Sequence, residues 1–352
     1  MQCLDYQVDD CQCPSDRTLM GTPLTRRLGA QETPAIGMGC WAIGGPFWFG
    51  SQPLGWGEVD DKESVAAIHK ALDLGVRFFD TANIYGCGHS ERVLGSAIKG
   101  VREQVIVATK FGNTFDESAR QKTGQDASPE GIRRACDESL QRLGTTYIDL
   151  YQFHLNDYDP KKAVEVLGTL EELVAAGKIR SYGWSTDFPE RAKVFAEGKH
   201  NVAVQHELSV FFDAPEMLRF CEERGLASIN RSPLAMGLLT GKFDGRSRLS
   251  TDDVRGIQPE WLRYFDQGQP KPEWLARIAA IRKILTSEGR TLTQGALAWI
   301  WARSPQTIPI PGFRTVKQVE ENIAALRFEP LSDSSVQEIA GLLATQNRHD
   351  NA

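Results

Sequence analysis

QVIVATKFGNTFDESARQKTGQDASPEGIRRACDESLQRLGTTYIDLYQFHL, residues 104–155, carries the pattern that decides the fold. A β-branched, apolar run from Gln104 to Lys110 reads as a strand. Ser128 and Pro129 supply the cap and first turn of a helix running to Arg142. A second apolar run, Tyr147 to His154, follows, and strand, helix and strand together make the βαβ unit of a parallel sheet. Side chains alternate along a strand, so Ile106, Ala108 and Lys110 share one face, as do Ile148, Leu150, Gln152 and His154. Lys110 and His154 therefore extend inward-facing rows.

The same alternation continues in both directions. Further strand-like runs lie at Ala35 to Gly39, Val76 to Asp80, Ile179 to Trp184, Val202 to His206, Ala227 to Asn230 and Thr307 to Ile310, giving eight in all. Helical spacing separates them: Ser64 to Leu74 sets Val65, Ile68, Ala71 and Leu72 on one face, and Ala163 to Ala175 repeats the period. Eight strand–helix units are the number that closes an α/β (β/α)8 TIM barrel, whose chemistry sits at the C-terminal ends of the strands. We expect a single barrel domain over residues 21–345, preceded by a flexible tail at 1–20. Residues 244–272, rich in Gly, Pro, Arg and Asp, are too long for an ordinary connection. Trp261, Tyr264 and Phe265 in that loop suit a lid or plain packing on the barrel equally well.

Composition narrows the function classes. With 41% hydrophobic and 24% charged residues the chain can bury a full core, and a net charge of −6 gives no broad cationic surface for nucleic acid or anionic lipid. No apolar stretch spans a bilayer, and the first residues, MQCLDYQVDDCQC, are acidic where a leader would be basic and then apolar. The seven cysteines are scattered, fitting a reducing compartment; we expect a cytoplasmic protein without a metal.

Asp80, Lys110 and His154 sit at or just past the ends of three successive runs, and Tyr85 lies in the turn that follows the first of them. A tyrosine, with a pKa of about 10, is a poor acid at neutral pH, and a nearby ammonium lowers that value. Lys110 supplies the ammonium, Asp80 the carboxylate that keeps it charged when buried, and His154 a group to orient or protonate a substrate oxygen. Each residue alone has a structural explanation; their conjunction at one rim points to proton delivery to a carbonyl. No side chain donates hydride, so a nicotinamide or flavin must.

Seven blocks resemble the aldo-keto reductase family: GMGCWAIGG (37–45), GVRFFDTANIYGCGHSERVLG (75–95), VIVATKFG (105–112), YQFHL (151–155), GKIRSYGWS (177–185), RSPLAMGLLTGKF (231–243) and IPIPGFRTVKQVEEN (308–322). The last two resemble its bacterial-type members in particular. The resemblance implies an NADP(H)-dependent oxidoreductase that reduces an aldehyde or ketone to an alcohol, with Tyr85 as general acid. It implies an extended cofactor across the barrel mouth, in place of a Gly-rich Rossmann turn. Trp41 and Asp80 would approach the nicotinamide ribose, and Ser185 and Gln205 its carboxamide. Arg231, where relatives carry a stacking aromatic, and Ser232 follow. Leu234, Gly237 and Lys242 belong to the pyrophosphate loop. Gly312, Phe313, Arg314, Gln318, Glu321 and Asn322 match the block that holds the adenosine end, and Arg314 facing a 2′-phosphate favours NADP(H) over NAD(H). Leu155-Asn156-Asp157 departs from the family's usual sequence after the histidine. Trp41, Phe47, Trp48, Phe49, Trp56 and Phe115 either wall a pocket or pack long loops. Two other readings of the same barrel are an NADPH-binding regulatory subunit with little turnover and an aldolase using Lys110 as a Schiff-base nucleophile.

Overall fold

A computed structural model of the chain describes residues 24–257 and 261–349, so the tail reading at 1–20 lies outside the described residues. All eight sequence-read runs form strands: β1 (Met38–Gly39), β2 (Phe78–Asp80), β3 (Ile106–Phe111), β4 (Ile148–Phe153), β5 (Ile179–Ser185), β6 (Asn201–Glu207), β7 (Ala227–Arg231) and β8 (Thr307–Pro309). They pair in parallel and in chain order. The first strand then meets the last, through Gly37 N–H to Pro309 O and Gly39 N–H to Pro311 O, both 3.0 Å. A Cβ on Gly39 would lie 2.7 Å from the Ile310 carbonyl oxygen, so glycine is what lets this seam close. The result is the closed (β/α)8 barrel read from the sequence.

Ten helices are α1 (Asp61–Asp73), α2 (His89–Ala97), α3 (Pro129–Leu143), α4 (Pro160–Ala175), α5 (Pro189–Phe195), α6 (Pro215–Arg224), α7 (Pro272–Leu285), α8 (Leu292–Arg303), α9 (Val316–Ala324) and α10 (Asp333–His349), among the described residues. Ser128 caps α3 as read, accepting from Gly131 N–H at 3.1 Å. Two helices begin earlier than their apolar period suggests. Asp60 caps α1 by accepting from Lys62 N–H, and Asp159 caps α4 by accepting from Lys161 N–H, both 2.9 Å. The first turns are polar or begin with Pro160, so capping chemistry marks these starts where hydrophobic spacing is silent.

The pleat sorts the core into two layers. Phe78, Ile106, Ala108, Leu150, Ala203, Ala227, Ile229, Ile308 and Ile310 cluster together in the inner layer, whereas Val107, Tyr151 and Phe153 belong to the larger outer cluster. Ile148, placed by alternation with Leu150, joins the outer cluster instead. An antiparallel hairpin, Thr25–Leu28 with Gln31–Pro34, was not read from the sequence. Leu28 joins the inner layer, and Gly29 abuts Val202 near the start of β6, so the hairpin closes the N-terminal mouth. The opposite mouth is left open, with a cavity over it. In the 244–272 loop Tyr264 and Phe265 are buried, while Trp261 is 49% exposed with its ring 6.4 Å from that of Trp41. Packing therefore accounts for two of those aromatics and leaves one over the open mouth.

Candidate active site

Asp80 ends β2, and the turn after it carries Tyr85. Gly86 has φ +61°, and a Cβ there would come within 1.8 Å of the Gly44 carbonyl oxygen, so a glycine next to Tyr85 lets this turn sit against the loop after β1. Lys110, on the inner row of β3, is fully buried and points its ammonium at that turn. Its Nζ donates to Asp80 Oδ1 at 2.5 Å, to Thr81 O at 2.8 Å and to Tyr85 Oη at 3.3 Å. Asp80 Oδ2 accepts from Gln152 Nε2 at 2.9 Å and from Gln205 Nε2 at 2.8 Å. The carboxylate thus takes donors from three other strands, which compensates its burial.

The charge balance differs in one respect from the sequence reading. Burial pushes the Tyr85 phenol above its ordinary value, and the Lys110 ammonium pulls against that shift without reversing it. Burial acting alone would lower the Lys110 ammonium; Asp80, with Tyr85 beyond it, outweighs burial and holds it above the usual lysine value. Both groups therefore carry their protons at neutral pH. His154 lies just past β4, its ring edge-on to Tyr85 with centroids 5.9 Å apart. Burial, then the charges of Lys110, Arg231 and Lys122, hold it well below the ordinary imidazole value, so it is neutral. Asn113 Nδ2 stands 3.5 Å from His154 Nδ1. With Asn113 as the donor at that nitrogen, the ring proton would lie on Nε2.

A cavity of about 970 Å³ opens over this cluster. Asp80, Tyr85 and His154 line it, with Trp41, Ser185, Gln205, Arg231, Ser232, Leu234, Gly237, Lys242, Gly312, Phe313, Arg314, Gln318, Glu321 and Asn322. Of the sequence-read site residues only Lys110 stays off the wall, beneath Tyr85. Among the candidate wall aromatics Trp41, Phe47 and Trp56 line the cavity; Trp48, Phe49 and Phe115 do not. Trp41 stacks on Tyr85 with centroids 5.9 Å apart and planes at 22°.

Several of these side chains are already engaged. Arg231 pairs with Asp187 and lies 3.8 Å from Glu207, so its guanidinium is clamped between two carboxylates. Arg314 donates to the Trp56 carbonyl at 3.0 Å and to that of Glu58, and Glu321 accepts from the Thr291 hydroxyl. Around Gly237, Ala235 and Met236 share left-handed backbone, a tight bend whose Met236 and Gly237 line the cavity. Lys242 beside it is held below the usual lysine value by burial and by Arg255 and Arg314.

The sequence reading missed Gln152, Asn113, Lys122 and Arg255. Gln152 had a signal, since it falls two residues before His154 on the same face. Arg255 pairs with Asp253 at 2.6 Å, donates to Met236 O at 3.0 Å and lies 4.2 Å above the Trp56 ring. Nothing periodic marks it, because it comes from the long loop. No helix among the described residues is long and apolar enough to cross a membrane.

Comparison with known proteins gives consistent matches. Residues 35–344 match the model of the aldo/keto reductase family. The chain is 33% identical over 326 residues to aldo-keto reductase yakc [NADP(+)] of Schizosaccharomyces pombe, covering 90% of each chain. It is 33% identical to aldo-keto reductase YhdN of Bacillus subtilis, covering 82% of this chain and 84% of that one. Among solved structures it resembles the glycerol dehydrogenase of Gluconobacter oxydans with a TM-score of 0.77 at 30% identity, over 92% of this chain and 96% of that one. It also resembles an aldo-keto reductase of Klebsiella pneumoniae in complex with NADPH, TM-score 0.65 at 27% identity, over 92% and 95%.

Proposed function

This chain belongs to the aldo/keto reductase family and is an oxidoreductase, and from that premise we propose that it reduces an aldehyde or ketone to an alcohol with NADP(H), Tyr85 acting as the general acid. The observation that carries the reading is the Lys110 ammonium, bonded to Asp80 and within 3.3 Å of Tyr85 Oη, directly beneath the cavity floor.

The cofactor supplies hydride to the carbonyl carbon. The chain's own residues fit such a dinucleotide. At one end Ser185 lines the cavity with no side-chain hydrogen-bond partner among the described residues, and Gln205, whose amide nitrogen is spent on Asp80, has its oxygen left to accept from a carboxamide. In the middle, the left-handed backbone at Ala235, Met236 and Gly237, with Lys242 and Arg255, supports diphosphate binding. Ser232 and Leu234 precede that loop. At the far end Gly312, Phe313, Gln318, Glu321 and Asn322 flank Arg314, which must trade the Trp56 and Glu58 carbonyls for a 2′-phosphate.

In the proton step Tyr85 Oη gives its proton to the substrate oxygen. Lys110 stabilises the phenolate that remains, and Asp80 fixes Lys110 in its charged state. Neutral His154, proton on Nε2, donates a hydrogen bond to the same oxygen and orients the carbonyl. Trp41 and Trp261 cover the aromatic side of the cavity.

The test is absorbance-monitored NADPH oxidation with a panel of aldehydes and ketones, repeated with NADH. The reading predicts oxidation that requires the carbonyl compound, yields one alcohol per NADPH and prefers NADPH. Tight NADPH binding without turnover of any carbonyl would replace it with the regulatory-subunit reading.

A further inference from the structure

We infer that Lys122 is an anion-recognising residue at the substrate end of the cavity, and that the carbonyl compound this protein reduces carries a carboxylate or phosphate group. The inference rests on the carbonyl-reductase reading above and adds the substrate class.

Lys122 belongs to a hairpin, Asn113–Asp116 with Gln121–Gln125, that follows β3 and folds beside the mouth. The hairpin is tied down at several points. Asn83 Nδ2 donates to Asn113 O at 3.1 Å, Asp126 N–H to Gly112 O at 2.9 Å, and Trp48 N–H to Arg120 O at 2.9 Å. A side chain on such a frame is presented in a fixed direction, and Lys122 lines the same cavity as Tyr85 and His154.

The cations on and below that cavity wall divide by what they touch. Lys110 is paired with Asp80, Arg231 with Asp187, Arg255 with Asp253, and Arg314 is held by carbonyl oxygens. Lys242, beside Gly237 and Arg255, and Lys317, near Arg314 and Gln318, sit at the other end. Lys122 is the cation of the substrate end with no carboxylate in ion-pair range among the described residues; its one close neighbour of note is the Phe49 ring, 5.8 Å from Nζ. It is half-buried, and burial lowers its pKa. Its charge reaches His154, where it helps keep the imidazole neutral. A partly desolvated ammonium without a counter-ion, in a cavity walled by indole and phenyl rings, is unfavourable in the free protein. A substrate anion would offset that cost while its carbonyl lies at Tyr85 and His154.

The test compares matched pairs of aldehydes in NADPH-dependent turnover: 4-carboxybenzaldehyde against benzaldehyde, and glyceraldehyde 3-phosphate against glyceraldehyde. Wild type is expected to prefer one anionic member by about tenfold in kcat/KM, mainly through KM, and which pair shows it distinguishes carboxylate from phosphate. The anionic-to-neutral ratio is expected to fall about tenfold in Lys122→Met, to fall further in Lys122→Glu and to be retained in Lys122→Arg. Because the readout is a ratio within each variant, a general loss of folding does not mimic it. Turnover of the neutral aldehydes with no anionic preference, or a ratio unchanged in Lys122→Met, would overturn this inference and leave the carbonyl-reductase reading standing. Absence of NADPH oxidation with every aldehyde would overturn both.

Discussion

Two buried ion pairs sit on opposite faces of one strand, and they are built for different ends. On the inner face of β3, Lys110 meets Asp80 at 2.5 Å; on the outer face, Thr109 donates to Glu91, which takes Arg142 Nε at 2.6 Å between α2 and α3. Both pairs are almost wholly shielded from solvent. The outer one is closed: Glu91 is satisfied by Thr109 and Arg142, while Arg142 also reaches Ser139 and stands over the Phe115 ring. The inner one keeps an opening, because the Lys110 ammonium also reaches a phenol that faces a cavity. The difference teaches that burial and pairing alone do not mark a reactive site. What marks it is a charged pair with a third, protic partner turned toward space for a ligand.

That contrast is open to direct challenge. The largest effect is expected in Lys110→Met, where turnover should fall about 10²–10⁴-fold, since Tyr85, in the proposed role of acid, would lose the charge that stabilises its conjugate base. Its stability should suffer less than the activity, because Asp80 keeps the Gln152 and Gln205 amides. Arg142→Met should do the reverse. It strands Glu91 in the core and is expected to cost about 3–5 kcal/mol in urea unfolding, with kcat of the folded protein preserved. A variant of Arg142 that loses turnover while keeping its stability would erase the distinction between the two faces.

A third kind of buried group sharpens the comparison. His206 makes no ion pair among the described residues; it bonds Ser228 Oγ at 2.7 Å and the Glu207 carbonyl at 3.0 Å, and burial lowers its pKa to about 4. Its folded pKa lies below the unfolded value of about 6.5, so the unfolded chain takes up the proton first as pH falls. Stability is complete above that value and is lost progressively toward pH 4. His206→Asn should remove about 2 kcal/mol of the destabilisation that wild type shows between pH 7 and pH 5, read from urea midpoints. The smallest effect belongs to Gln152→Leu. Asp80 would keep Lys110 and Gln205 and lose one amide, with an expected drop of about tenfold in turnover.

The barrel was legible because its signal is local. Eight apolar runs, separated by helical spacing, need no knowledge of what they touch, and Asp80, Lys110 and His154 are placed by the strand ends themselves. Tyr85 needed only the turn that follows. Partners that arrive from far along the chain were harder: Gln205 is 125 residues from Asp80, and its bond to that carboxylate exists only once the sheet has curled. Lys122 and Arg255 lie on a hairpin and a long loop, where no period says which way a side chain faces. The net upward shift of Tyr85 was likewise invisible, because charge sequence shows Lys110 and hides the depth of burial.

The central claim is that Tyr85 delivers the proton, and single-turnover NADPH oxidation by wild type and Tyr85→Phe, with NADPH affinity measured on both, tests it most directly. The account predicts a fall of about 10²–10⁴ in the turnover rate with NADPH affinity retained. A Tyr85→Phe protein that oxidises NADPH at the wild-type rate would contradict it.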